Sequence, residues 1–317
     1  MPARNKYFNE IALIFASAIF MFGTVSCGKF SASSGGNLYA RTEVAAIESA
    51  FWAVNSGFMS TEGQFLNSTC TSIAPQMTCN IETGSNYIAT YNWSSCRFNS
   101  GSIGINGVWT DLYLADASPH CQHPPVTNQV ISRKSFGGPT DPPIRYYLSN
   151  SDTLDINTNQ YAGFPGQAMG DWGIHSRQVS ATQRQMRIDT LQMVRKNVVG
   201  STLYDVFLQS DPLTTNFDIS ATGTLAGGNR LVTGFTYVYF ANVQRIKVTF
   251  NNVLWSDATC CYPKSGSLNL VFDDFIAPNT WTPNTKTSTL NFNGTCGLAS
   301  LTTTDGRVQT YNMPGCF

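Results

Sequence analysis

The chain has 317 residues, of which only 12% are charged, and its 19 basic and 19 acidic side chains cancel. Hydrophobic residues reach 42% and include 20 Phe, 13 Tyr and 6 Trp, which excludes an intrinsically disordered chain. No dense Lys/Arg stripe is present, so the electrostatic footprint of a nucleic-acid partner is missing.

The N-terminus carries Arg4 and Lys6, then an apolar run from Ile11 to Val25, then Thr24-Val25-Ser26-Cys27. The run is about 15 residues, short of the ~20 that span a bilayer as a helix. It matches a signal-peptide core of ~7–15 residues. The pattern resembles the signal peptide and lipobox of a bacterial lipoprotein. That resemblance implies cleavage before Cys27, acylation of its thiol with palmitate-type chains, and a membrane partner reached through the lipid. Gly28 rather than Asp follows the cysteine, which by the rule in enteric bacteria implies the outer membrane. Thr24 stands where such a motif usually has Leu, and an ordinary signal peptide with a coincidental cysteine is the competing reading. Gly28 to Asn37 (GKFSASSGGN) is a small, polar stretch suited to a tether. The expected organisation is a signal peptide over 1–26, a lipidated Cys27 with tether over 27–40, and a disulfide-bonded β domain over 41–317.

Arg41 to Asn55 is predicted as the one helix, with Val44, Ile47, Phe51 and Val54 on a single stripe. Thr42 caps it and Glu43 complements its dipole. Strand patterns follow at Tyr87–Trp93, Ser102–Leu114, Ile144–Ser149, Gln185–Val194, Leu203–Gln209 and Arg230–Phe240. They continue at Arg245–Trp255, Ser267–Phe272, Thr289–Phe292, Leu298–Thr302 and Val308–Met313. Asn251-Asn252 marks a bulge, and Asp305-Gly306 a hairpin turn. Pro119–Pro143 and the Gly-rich Asn157–Ser176 read as loops. The fold class is mainly β: a curved antiparallel meander, sandwich or open barrel, with one N-terminal amphipathic helix packed on one face.

Setting Cys27 aside leaves eight cysteines in two groups, Cys70, Cys79, Cys96, Cys121 and Cys260, Cys261, Cys296, Cys316. An even count in each group favours disulfides within groups. Adjacent Cys260 and Cys261 point to opposite faces of a strand and are expected to take different partners. His120-Cys121-Gln122-His123 packs three zinc-type ligands into four residues, but no CxxC partner motif accompanies it. No metal or other cofactor is expected.

The stretches NNVLWSDATCCYPKSGSLNL, TLNFNGTCGLASLTTTDGR and MPGCF, with YNWSSC and INGVWT upstream, carry a second resemblance. They are similar to uncharacterised cell-envelope lipoproteins of Bdellovibrio-type predatory bacteria. This implies an envelope lipoprotein of β type and supplies no catalytic residues.

Two catalytic arrangements present themselves. Asp171 and His175 lie near each other, yet no GxSxG nucleophile turn accompanies them. Asp152/Asp155 and Asp273-Asp274 are the main acidic clusters, and glycoside hydrolysis needs carboxylates ~5–9.5 Å apart. Recognition is better supplied. Tyr161, Phe164 and Trp172 share one Gly-rich loop with Asn157, Asn159, Gln160 and Gln167. Aromatic platforms flanked by amides suit neutral sugars, although such aromatics also serve simply to anchor a loop. The expected function is a lipid-anchored envelope protein that binds, or structurally contacts, a surface glycan or a partner protein. The alternative is a secreted carbohydrate-active hydrolase.

Overall fold

The computed structural model describes residues 38–62, 69–70, 76–98, 103–135, 143–148, 150–158, 173–224, 227–256 and 262–313. All of them fall in one compact unit, Ser33–Phe317, with a core of its own. Cys27, Cys260, Cys261, Cys316 and the predicted aromatic loop with Tyr161, Phe164 and Trp172 lie outside the described residues.

The chain is mainly antiparallel β with one helix near its start, as the strand patterns require. The helix α1 spans Leu38–Glu62. One sheet then grows almost in chain order. β2 (Gln76–Thr83) forms a hairpin with β3 (Asn86–Phe98), and the short β1 (Thr69–Cys70) lies along the same edge of β3. β4 (Ile103–Tyr113) pairs with the other edge of β3. β5 (Val130–Ser135) and β6 (Ile144–Tyr147) share the next position, and β8 (Gly173–Gln178) and β7 (Thr153–Asn157) the one after. β7 and β8 both lie against the long β9 (Gln183–Lys196). β10 (Thr202–Gln209) and β11 (Ile219–Thr222) bridge β9 to β12 (Arg230–Phe240). A plain meander follows through β13 (Gln244–Trp255), β14 (Ser265–Ala277), β15 (Thr280–Phe292), β16 (Leu298–Thr302) and β17 (Val308–Asn312). Among the described residues β17 ladders only with β16, so the sheet is curved but open.

The curvature serves α1. The stripe of Val44, Ile47, Phe51 and Val54 lies inside the curve, as its spacing requires. Phe51 meets Phe250, Trp255 and Phe292 edge-to-face, with ring centroids 5.9, 6.1 and 5.9 Å away. The opposite side of the helix is enclosed as well, because Glu43, Glu48, Ser49, Asn55 and Ser56 are all buried. A helix with polar residues buried this way needs partners for them. The sheet supplies these partners. Thr304 N donates to Glu43 at 3.0 Å, and Ser288 Oγ also donates to it. Arg195 bridges Glu48 and Asp152. Arg230 reaches Asn55 and lies 3.6 Å from Glu62. Arg133 Nη1 donates to Ser56 O at 2.8 Å, and Ser176 Oγ to Gly57 O at 2.8 Å.

The helix is longer than its predicted end at Asn55. Ser56-Gly57 reads as a stop signal, but glycine serves here for close approach. A Cβ at Gly57 would lie 1.8 Å from Met186 Sδ and 2.9 Å from Ile174 Cγ2. The predicted loops also hide strands. Val130–Ser135 lies within the Pro-rich stretch, and the end of the Gly-rich stretch, from Gly173 on, is strand β8. Gly173 has φ 118°, and a Cβ there would meet Arg133 O at 2.3 Å, so a tight strand approach selects it. The expected bulge is present: the β13–β14 register shifts between Asn251 and Leu254, and Asn252 has φ 49°.

Candidate functional site

The sheet has an inner face against α1 and an outer face turned away from it. On β12 and β13 the inner residues are Thr236, Val238, Ile246 and Val248, all buried. Alternation then sends Phe235, Tyr237 and Tyr239 outward on β12, and Arg245 and Lys247 outward on β13. The register seats Tyr237 opposite Lys247, Tyr239 opposite Arg245, Arg245 opposite Asp273 and Phe275 opposite Trp281. Four neighbouring strands therefore place one aromatic row on a single outer patch, about 14 Å across at the usual strand spacing.

The row is continuous. Phe235 and Tyr237 lie 5.7 Å apart, Tyr237 and Tyr239 6.4 Å, Tyr239 and Trp281 5.4 Å, and Trp281 and Phe275 5.4 Å. Tyr239 is buried at the base of the row, while the other four are half-buried and present ring surface to solvent. Burial pushes the Tyr239 phenol up to about 12 and raises that of Tyr237, so both hydroxyls stay protonated donors at neutral pH. Arg245 sits 4.3 Å from the Tyr237 centroid and 5.3 Å from that of Trp281. Asp273 accepts from Arg245 Nη2 at 2.6 Å, which neutralises that cation. The Lys247 ammonium lies 3.9 Å from the Phe235 centroid, and among the described residues it forms no ion pair. Half-exposed rings with a few fixed polar groups are the composition of a recognition surface.

The carboxylates considered for hydrolysis are committed elsewhere. Asp152 holds Arg195, Asp155 accepts from Arg145 Nε at 2.6 Å, and Asp273 holds Arg245. Asp274 accepts from Asn284 at 3.0 Å, and Asp171 lies outside the described residues. His175 takes a different acid from the one its sequence neighbour suggested. Ser132 Oγ lies 2.7 Å from His175 Nδ1, and His175 Nε2 lies 3.0 Å from Asp189 Oδ2, with Arg187 Nε 2.6 Å from Asp189 Oδ1. The order Ser–His–Asp matches a hydrolase triad, but the setting does not. Ser132 is 1% exposed and lies mid-strand between β4 and β8, not on an exposed turn. These groups stitch three strands together.

One bridge with both partners described lies within the first cysteine group. Cys79 and Cys121 are bridged, with Cα atoms 6.1 Å apart, and Cys70 stands opposite Cys96 in the β1–β3 register. Cys296 is disulfide-bonded as well. The potential zinc ligands have other partners. Cys121 is oxidised, His120 stacks on Tyr87 at 3.5 Å, and His123 Nε2 lies 2.5 and 2.8 Å from the hydroxyls of Tyr91 and Tyr113. Those contacts, with Asp116 accepting from Cys121 N at 2.7 Å, fix the 114–129 segment against β3 and β4.

Comparison with known proteins gives no match to any family model, curated protein or solved structure.

Proposed function

We propose that the chain is a non-catalytic binding protein of the bacterial envelope, tethered through acyl chains on Cys27, whose outer β12–β15 face contacts neutral surface glycan. One observation carries the reading: a row of half-exposed aromatic rings on one outer sheet face, while the described candidate acids are held in ion pairs or amide contacts. Ring faces stack on the C–H faces of a sugar. The Tyr237 hydroxyl, Asn269 and the threonines that share this face offer hydroxyl partners. The lipobox-like Thr24–Cys27 sequence and the polar tether support a position at the outer membrane, and the resemblance to predatory-bacterium lipoproteins supports the same setting.

The test is an array of neutral chito-, cello- and malto-oligosaccharides probed with the Ser33–Phe317 unit. Binding by the wild type that is lost in Trp281→Ala supports the outer face. Binding lost instead in Trp172→Ala moves the site to the predicted loop. No binding by the wild type removes glycan recognition.

A further inference from the structure

Of the twelve exposed large apolar side chains among the described residues, six lie at one end of the sheet: Tyr147, Val198, Val199, Leu203, Val243 and Ile276. The turns after β9, β12 and β14 all lie at that end, because Lys196 pairs with Thr202, Phe240 with Gln244, Ala277 with Thr280, and Gln244 with Asp274. Their tips carry Val198 at 70% exposure, Val199 at 78%, Val243 at 67% and Ile276 at 60%. Turns ordinarily use Gly, Asn, Asp and Ser, so the β-branched Val198, Val199 and Val243 run against local turn chemistry, while Ile276 sits in β14 just before the Pro278-Asn279 turn. The first of these turns is held in shape: Asn197 Oδ1 accepts from Val199 N at 3.2 Å and Ser201 N at 2.8 Å. The turns at the other end read Ser180-Ala181-Thr182, Gly227-Gly228-Asn229 and Asn293-Gly294-Thr295, small and polar.

The described start of α1 is directed toward the same end. Near the start of α1, Glu43 binds Thr304 in the β16–β17 turn, and Glu48 binds Arg195 beside the β9–β10 turn. The other end of the helix reaches Arg230 at the start of β12. The first half of the described helix therefore lies toward the end that carries the apolar tips. Exposed Tyr147 flanks them, and tyrosine favours a membrane–water interface.

We infer that this end seats on a lipid surface, with Val198, Val199, Val243 and Ile276 entering the interfacial zone. The inference rests on the envelope-tether reading for the presence of a bilayer. Seating of this kind orients the outer β12–β15 face alongside the membrane rather than into it. The tips are exposed, so their replacement leaves the fold intact.

The assay is co-sedimentation of the Ser33–Phe317 unit with vesicles of phosphatidylethanolamine and phosphatidylglycerol. That unit lacks Cys27, so the outcome does not depend on acylation, which partitioning of full-length Cys27→Ala tests separately. The wild type is expected to sediment with the vesicles. The combined Val199→Ser, Val243→Ser and Ile276→Ser variant should lose at least tenfold in partitioning, with an unchanged circular dichroism spectrum. Wild type that stays in the supernatant, or a triple variant that sediments equally, overturns the inference. So does a wild-type dimer in solution that the triple variant converts to monomer, since the tips would then meet a second copy.

Discussion

Replacing Gly57 by Ala tests how closely α1 is held to the sheet. In an exposed helix interior this change stabilises by about 1 kcal/mol through helix propensity. Here the new Cβ would lie 1.8 Å from Met186 Sδ and 3.0 Å from Met186 Cγ, with Ile174 Cγ2 at 2.9 Å. Ordinary contact needs about 3.5–4.0 Å, so the sulfur must move by roughly 2 Å. Met186 is fully buried among other core side chains, and the Gly57 carbonyl is tied to Ser176, so the helix cannot back away. Overpacking costs ~1–3 kcal/mol, and a displacement this large belongs at the upper end. The net effect is destabilisation by about 1–2 kcal/mol, read as a lower urea midpoint at unchanged slope. Met186→Ala alone opens a void and costs ~2–5 kcal/mol. In the double variant the alanine Cβ occupies space the thioether left, so the two losses should sum to more than the double loses. Gly57→Ala that raises the midpoint, or strict additivity with Met186→Ala, would refute the close helix–sheet contact.

Opening the Cys79–Cys121 bridge by Cys→Ala at both positions releases a 42-residue separation and should cost about 4 kcal/mol by loop entropy, measured by thermal unfolding. Burial raises the Glu43 carboxyl above its ordinary 4.5, ahead of the opposing hydrogen bonds from Ser288 and Thr304. The folded state thus holds this proton more tightly than the unfolded one, so its stabilising contribution is full below pH 4.5 and is lost as pH rises through the folded value. Measured against Glu43→Gln, wild type should lose stability between pH 4.5 and neutrality, and a gap that widens in its favour would contradict this sign. Arg133→Met strands the buried Asp111 carboxylate and should cost ~3–5 kcal/mol in chemical unfolding, whereas Arg133→Met with Asp111→Leu should cost less. Ser132→Ala should leave any glycan binding unchanged while lowering the melting temperature, since Ser132 Oγ bonds only inside the sheet.

The strong alternating segments were legible because each buries one clean face: Arg230–Phe240 and Arg245–Trp255 became β12 and β13, near their predicted bounds. Gln76–Thr83 gave little signal because both its faces are exposed, so no burial imposes alternation. Val130–Ser135 was hidden by Arg133, which reads as a surface residue until Asp111 is found opposite it on β4. Of the outer aromatic row, Phe235, Tyr237 and Tyr239 fall in a predicted strand, where period-two alternation puts them on one face. Phe275 and Trp281 lie between the predicted strands Ser267–Phe272 and Thr289–Phe292, and only the register reveals that they meet Tyr237 and Tyr239. His175 shows the same limit, since its acid, Asp189, is supplied by the neighbouring strand rather than by the nearby Asp171.

The most direct test of glycan recognition on the outer face is amide hydrogen exchange of the Ser33–Phe317 unit, with and without the oligosaccharide that binds it best. Slowed exchange confined to 235–249 and 269–283, and absent in Trp281→Ala, is the expected result. Protection centred on 173–190 around His175 and Asp189, or none on the β12–β15 face, would contradict it.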